Sequence, residues 1–247
     1  GKVMAHETDI GSFIESWEQR TSVTVTDKRK LAELLEAQRM THFSFTSCGW
    51  FFSDISGIEP RQDIQYAMRA IQLCQRFTDE DIQASVLPIL AKARSNKRNE
   101  GSGQTIARSF LSQAGGEAEA AAYFLMNQNF ARPEDVVHTY GKYRLLAFHR
   151  SSPQEYDCEV LDTRTLRTDA ISMRVRSEIE HGYVVSMRMA DTEGDGTLVH
   201  EFSTAHIPPR MLDEVYTWID HSLSRIGDEE VKRIEFAELG VAVMRSY

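Results

Sequence analysis

The feature that most constrains this chain is a change of hydrophobic period near Pro133. Upstream, from Asp27 to about Phe130, apolar residues recur at the three- and four-residue spacing of helices. Downstream, Tyr143 to Phe148, Tyr156 to Leu161, Ala170 to Glu180, Tyr183 to Met189 and Thr197 to Phe202 are short runs separated by turn residues. Within them Ser172, Arg174 and Arg176 alternate with Met173 and Val175, the period of a strand with one wet face. The chain is predicted to be α+β: an N-terminal helical bundle over 1–132, then a mostly antiparallel β region over 133–247 with a C-terminal helix. A meander is the simplest topology, with His181-Gly182 and Glu193-Gly194-Asp195-Gly196 as hairpin turns. The last helix is expected to begin near Pro208-Pro209 and to carry Met211, Leu212, Val215, Trp218, Ile219 and Leu223 as a stripe that covers the sheet.

Within the helical part, Thr26 or Asp27 can cap a helix over about 27–46, whose apolar stripe reads Leu31, Leu34, Leu35, Gln38 and Phe43. Pro60 suits the first turn of a second helix bearing Ile64, Ala67, Met68, Ile71 and Cys74, and Thr78-Asp79-Glu80-Asp81 opens a third. Pro88 should kink that third helix, because its nitrogen cannot donate and its ring crowds the preceding turn. Asn96 to Gly103 loses the helical period and reads as a mobile loop, and Gly115-Gly116 separates helices near 104–113 and 117–130. Before Asp27, the β-branched run Val23-Thr24-Val25 fits an edge strand or a segment lying on the first helix.

Between the first two of these helices lies Thr46-Ser47-Cys48-Gly49-Trp50-Phe51-Phe52-Ser53-Asp54-Ile55-Ser56-Gly57-Ile58-Glu59-Pro60, which is not linker composition. Each of its aromatics gains roughly 1.5–3 kcal/mol on leaving water, so the turn is expected to dock against something. A functional reading has an exposed indole stack on a pyranose ring while a carboxylate accepts bonds from its hydroxyls. The plainer reading makes the aromatics core, gives Gly57 a positive φ, and has Asp54 or Glu59 cap the following helix.

The run from Leu34 to Leu73, and above all Thr46 to Phe52 followed by Asp54 to Glu59 and then Tyr66-Ala67, Arg69-Ala70-Ile71-Gln72-Leu73, resembles the C-terminal region that accompanies the glycoside hydrolase family 57 barrel in bacterial proteins, domain of unknown function 3536. Weaker similarity runs through Ala91 to Asn96, the helix containing Ala122-Tyr123-Phe124, and Ser172 to Ile179. The resemblance implies an accessory region packed beside a barrel that hydrolyses or transfers α-glucan bonds, in the same or a partner polypeptide. It implies no catalytic residue in this chain; Cys48, Trp50, Phe51, Phe52, Asp54 and Glu59 would border the carbohydrate cleft, with Gly57 part of the same motif. A retaining glycosidase needs two carboxylates about 5–5.5 Å apart, and no barrel motif supplying them is legible. The chain begins where that barrel would end, and Gly1-Lys2-Val3 without an initiating Met is expected of an excised fragment. The competing reading is a free-standing module that binds a protein or small ligand and lacks catalysis.

Composition narrows the partners. The 247 residues are 41% hydrophobic and 26% charged, enough for a sizeable core. With 28 basic and 37 acidic residues the formal net charge is −9, so neither nucleic acid nor an anionic membrane is the expected partner, and a neutral substrate or a protein fits better. Three widely spaced cysteines, Cys48, Cys74 and Cys158, do not make a disulfide framework and point to a cytoplasmic setting. No apolar run approaches the roughly 20 residues of a membrane span.

Other suggestive patterns fail on spacing, and neither a metal nor a cofactor is expected. Gly49 separates Cys48 from Trp50, unlike a papain-type nucleophile, in which the aromatic follows the cysteine directly. His200 and His206 stand six apart, not the four that put two zinc ligands on one helix face. Asp191 to Gly196 begins like a calcium loop but has Phe202 where the bidentate carboxylate belongs. The isolated His42, His138 and His149 have no legible partner.

Overall fold

The computed structural model describes residues 9–51, 54–111, 116–131, 133–178, 182–190 and 197–203; for 50, 130, 176–178, 182–190 and 197–203 only the backbone is described. It is α+β, with helices first and an antiparallel sheet after them. By internal contacts the chain divides into two units, residues 1–113 with 163–166, and residues 114–162 with 167–247. The turn expected at 193–196 and the helix expected from Pro208 lie outside the described residues.

The first unit opens with α1 (Ile10–Thr21), a helix absent from the sequence reading. Asp9 caps it by accepting from the Ser12 N–H at 2.9 Å, and Ile10 and Ile14, one turn apart, are buried with Ala32. Val23-Thr24-Val25 forms no strand: Ser22 ends α1 in the left-handed region at φ 55°, and the Val25 N–H is taken by Glu18 Oε1 at 2.7 Å.

Asp27 caps α2 (Lys28–Phe43) by accepting from the Lys30 N–H at 2.8 Å. The buried face of α2 is not the leucine stripe. Ala32, Glu33, Glu36, Ala37 and Met40 are buried, whereas Leu34 is exposed and Leu31 and Leu35 are half-buried. Two carboxylates can face inward because both are paired. Glu33 accepts from Arg76 Nη1 at 2.8 Å with Arg29 Nε 3.9 Å away, and Glu36 takes both ends of the Arg39 fork at 2.7 and 2.6 Å. Packed along α2 is α4 (Ile58–Cys74), which runs past Pro60 in its first turn and buries Ile64, Met68 and Leu73. A second cluster joins Ile64 and Met68 to Ile106 and Ala107, bringing in α5 (Ile82–Leu90, capped by Asp81) and α6 (Gly103–Leu111). Pro88, expected to kink α5, stands in its last turn, and the helix stops at Leu90.

The second unit is built on α7 (Gly116–Phe130), buried on every side: Ala118, Ala120 to Ala122, Tyr123, Phe124, Leu125, Met126 and Asn127 are all inside. Among the described residues the sheet is a six-stranded meander in the order of the chain, β1 (Thr139–Tyr140), β2 (Tyr143–Ser152), β3 (Glu155–Asp162), β4 (Arg167–Glu178), β5 (Gly182–Ala190) and β6 (Thr197–Ser203). Register places Tyr156 opposite Met173 and Cys158 opposite Ile171, so one face of β3 and β4 is a continuous apolar surface. Helix α7 meets β1, β2, β3, β4 and β6, so the sheet curls about it. Asn127, fully buried, accepts from the Val137 N–H at 2.9 Å and donates to the Asp135 carbonyl at 3.3 Å, satisfying the backbone that leads into β1.

Candidate functional site

The connection from α2 to α4 contains a short helix, α3 (Ser47–Phe51), where the sequence reading had a loop. Thr46 Oγ1 donates to Asp63 Oδ1 at 2.6 Å, fastening the entrance of α3 to α4. The other oxygen, Asp63 Oδ2, is buried without a hydrogen-bond partner, and a Cβ on Gly49 would lie 2.0 Å from it. A side chain at 49 would therefore displace the Asp63 carboxylate from its seat. Gly57 has an ordinary role; its φ is −61°, not positive, and it is the N-cap of α4 with no side-chain bond, so neither Asp54 nor Glu59 caps that helix. A Cβ at Gly57 would meet the Asp54 carbonyl at 3.2 Å.

Asp54 joins two parts of the unit that lie far apart in sequence. Oδ1 accepts from the Ser56 N–H at 2.8 Å, from Ser56 Oγ at 2.7 Å and from Ser95 Oγ at 2.8 Å; Oδ2 accepts from the Asn96 N–H at 2.6 Å. Four donors are about what a carboxylate can accept, and they hold its pKa far below the usual carboxylate range, the Ser56 hydroxyl and N–H contributing most. The segment it grips, 94–103, is closed at its base. Arg94 bridges to Ser102, the Ser95 N–H donates to the Gly101 carbonyl at 3.0 Å, and the Gly103 N–H donates to the Ala93 carbonyl at 2.9 Å. Asp54 thus bonds together two of the segments that carry the family resemblance, 46–59 and 91–96.

The aromatics are not all folded inward. Phe51 is 87% exposed, and its neighbours along the chain Phe45 and Ile58 are 72% and 81% exposed. Cys48 is exposed, and Glu59 is half-buried in the first turn of α4. Trp50 lies in α3 with only its backbone described, and Phe52 falls outside the described residues. The structure therefore brings Cys48, Phe51, Asp54 and Glu59 onto one short stretch around α3, with Asp54 acting first as a clasp.

Sequence reasoning missed Asp63, Ser95 and Asn96. Ser95 and Asn96 lay within the weaker stretch of resemblance, whereas nothing in local spacing marks Asp63. Among the described residues no group of three His, Cys, Asp or Glu could hold a metal. His206 and the acidic run 191–196 lie outside the described residues.

The family described as a domain of unknown function, DUF3536, matches residues 2–189. The chain belongs to that family. The match takes in the whole α2–α4 connection, the Asp54 clasp and the sheet as far as β5. No curated protein and no solved structure matches this DUF3536 chain. Among the described residues, no helix is long and apolar enough to cross a membrane.

The three thiols of the domain differ in environment. Burial, with the Asp157 charge beside it, pushes Cys158 up to about 12, whereas Cys48 is exposed and Cys74 half-buried. At pH 8 iodoacetamide should therefore modify Cys48 first and leave Cys158 intact until denaturant is added. Mass spectrometry of a labelling time course reads the order, and early modification of Cys158 would contradict its placement in the sheet core.

Proposed function

We propose that this DUF3536 chain is an accessory, non-catalytic region of a family 57-like α-glucan-active glycoside hydrolase or transferase, packing beside the catalytic barrel and bordering its carbohydrate cleft in the cytoplasm. The observation that carries this reading is the exposure of Phe51: an aromatic ring in the motif that carries the resemblance faces solvent, where a pyranose face can stack on it. Trp50, Phe51 and Phe52 supply the stacking surface, and Cys48 and Glu59 flank it. Asp54 holds the surface in place, its acceptor sites being taken by Ser56, Ser95 and Asn96. The barrel, supplied by the same or a partner polypeptide, brings the reacting carboxylates.

The test is made in the polypeptide that contains the barrel. Trp50→Ala and Phe51→Ala should each raise KM for maltooligosaccharides by about tenfold, the loss of one stacking contact of roughly 1–1.5 kcal/mol, with a smaller change in kcat. Unchanged turnover and affinity in both variants would make the motif purely structural and end the cleft reading.

A further inference from the structure

Resting on the cleft reading, the charge around the motif narrows the sugar. Lys92, Arg94, Lys97 and Arg98 are all exposed, and among the described residues none of them makes an ion pair. Four solvated cations within one short segment are conspicuous in a chain whose net charge is −9. They do not neutralise nearby acids. Glu100 lies 4.0 Å from Arg61, and the charge of Asp54 is held by its four donors, Ser56 (twice), Ser95 and Asn96. The segment is also shaped in advance. Its base is closed by the Arg94–Ser102 bridge, and Asn99 and Gly101 take φ of 72° and 77°. Asp54, three residues beyond the exposed Phe51, grips it at Ser95 and Asn96, and Ile89 just before it is a further exposed apolar residue at 63%.

We infer that this face binds an oxyanion-bearing saccharide, a sugar chain carrying phosphate or carboxylate groups, with Phe51 against a ring face and the Arg94 and Arg98 forks and Lys97 on the anionic substituents. At physiological salt, charges farther away than about 8 Å are largely screened, so these local cations outweigh the acidic remainder of the chain. The guanidinium fork matches phosphate and carboxylate alike. Each contact at so open a surface is weak, and a ligand with several anions along its length gains from all four cations together.

Phe51 and all four cations belong to this chain, so binding is measured on the chain itself by calorimetry. The probes are maltoheptaose, a phosphorylated maltodextrin of similar length, an oligogalacturonate and a short oligothymidylate. The anionic saccharides are expected to bind at least about tenfold more tightly than maltoheptaose at low salt, and to lose that advantage in roughly 0.5 M NaCl or in the Arg94→Gln/Arg98→Gln variant. A preference for one of the two anionic probes identifies the oxyanion as phosphate or carboxylate. Phe51→Ala should weaken every saccharide, and circular dichroism checks that both variants remain folded. Equal binding of neutral and anionic sugars, unmoved by the double variant, overturns this inference and leaves the cleft reading standing. Failure of all three saccharides to bind overturns it too and counts against a sugar-facing role for Phe51. Tighter binding of the oligothymidylate replaces it with a nucleic-acid surface.

Discussion

Phe124→Ala should lower the unfolding free energy by about 3–5 kcal/mol, the cost of deleting a large side chain from a site that cannot collapse around the void. Phe124 is fully buried, one turn of α7 from Ala120 and Ala121, and the helix is enclosed on every face. Small alanines line the helix on either side of Phe124, and the loss falls toward the lower end of that range to the extent that Met126 and Met173 of the same cluster shift into the void. Urea denaturation followed by circular dichroism reads the midpoint, and a loss below about 1 kcal/mol would mean that α7 is not the centre of the sheet's core. Tyr123, which stacks on Tyr140 at a centroid distance of 4.3 Å, offers a milder comparison at the edge of the same cluster.

Arg76→Met is the second large effect, about 3 kcal/mol, at the lower end of the range for an orphaned buried charge because Arg29 remains 3.9 Å from Glu33. Glu33 is 1% exposed, so the variant leaves a carboxylate inside with a poorer partner. Adding Glu33→Met should restore most of the loss, because the apolar pair removes the uncompensated charge along with its desolvation cost. A double variant no more stable than the single would show that the ion pair does not govern this site. The consequence reaches the motif: α2 leads into the α3 connection and α4 leads out of it, and Arg76 follows directly on α4. A loosened α2–α4 pair should therefore also weaken the Thr46–Asp63 fastening.

Much of the architecture was legible where a local rule decides it. Asp27 and Asp81 announce their helices because a short acceptor side chain satisfies an unpaired N–H wherever it stands. Met173 and Val175 fall on the buried face of β4, and Ser172 and Arg174 on the wet one, because the pleat alternates strictly. The errors arose where distant contacts override local preference. A count of apolar residues put the leucines of α2 inward, yet Arg76, 43 positions from Glu33 in the chain, makes a carboxylate acceptable there instead. Val23-Thr24-Val25 read equally as an edge strand or as a segment lying on the first helix, and the bond from the Val25 N–H to Glu18 with Val25 packed against Ile10 and Ile14 decides for the second. The role of Asp54 was hidden for the same reason, since its donors Ser95 and Asn96 lie 41 and 42 positions away. Gly49 was conspicuous as a residue type, but only the structure shows that the Asp63 carboxylate sits in the space a side chain there would take.

The meander has a kinetic corollary. Among the described residues each strand from β1 to β6 pairs with its neighbours in the chain, so each ladder closes a short stretch of polypeptide and the entropic toll of ring closure stays small. Such low contact order favours rapid zippering from any one hairpin, which leaves the seating of α7 within the curled strands as the natural slow event in refolding.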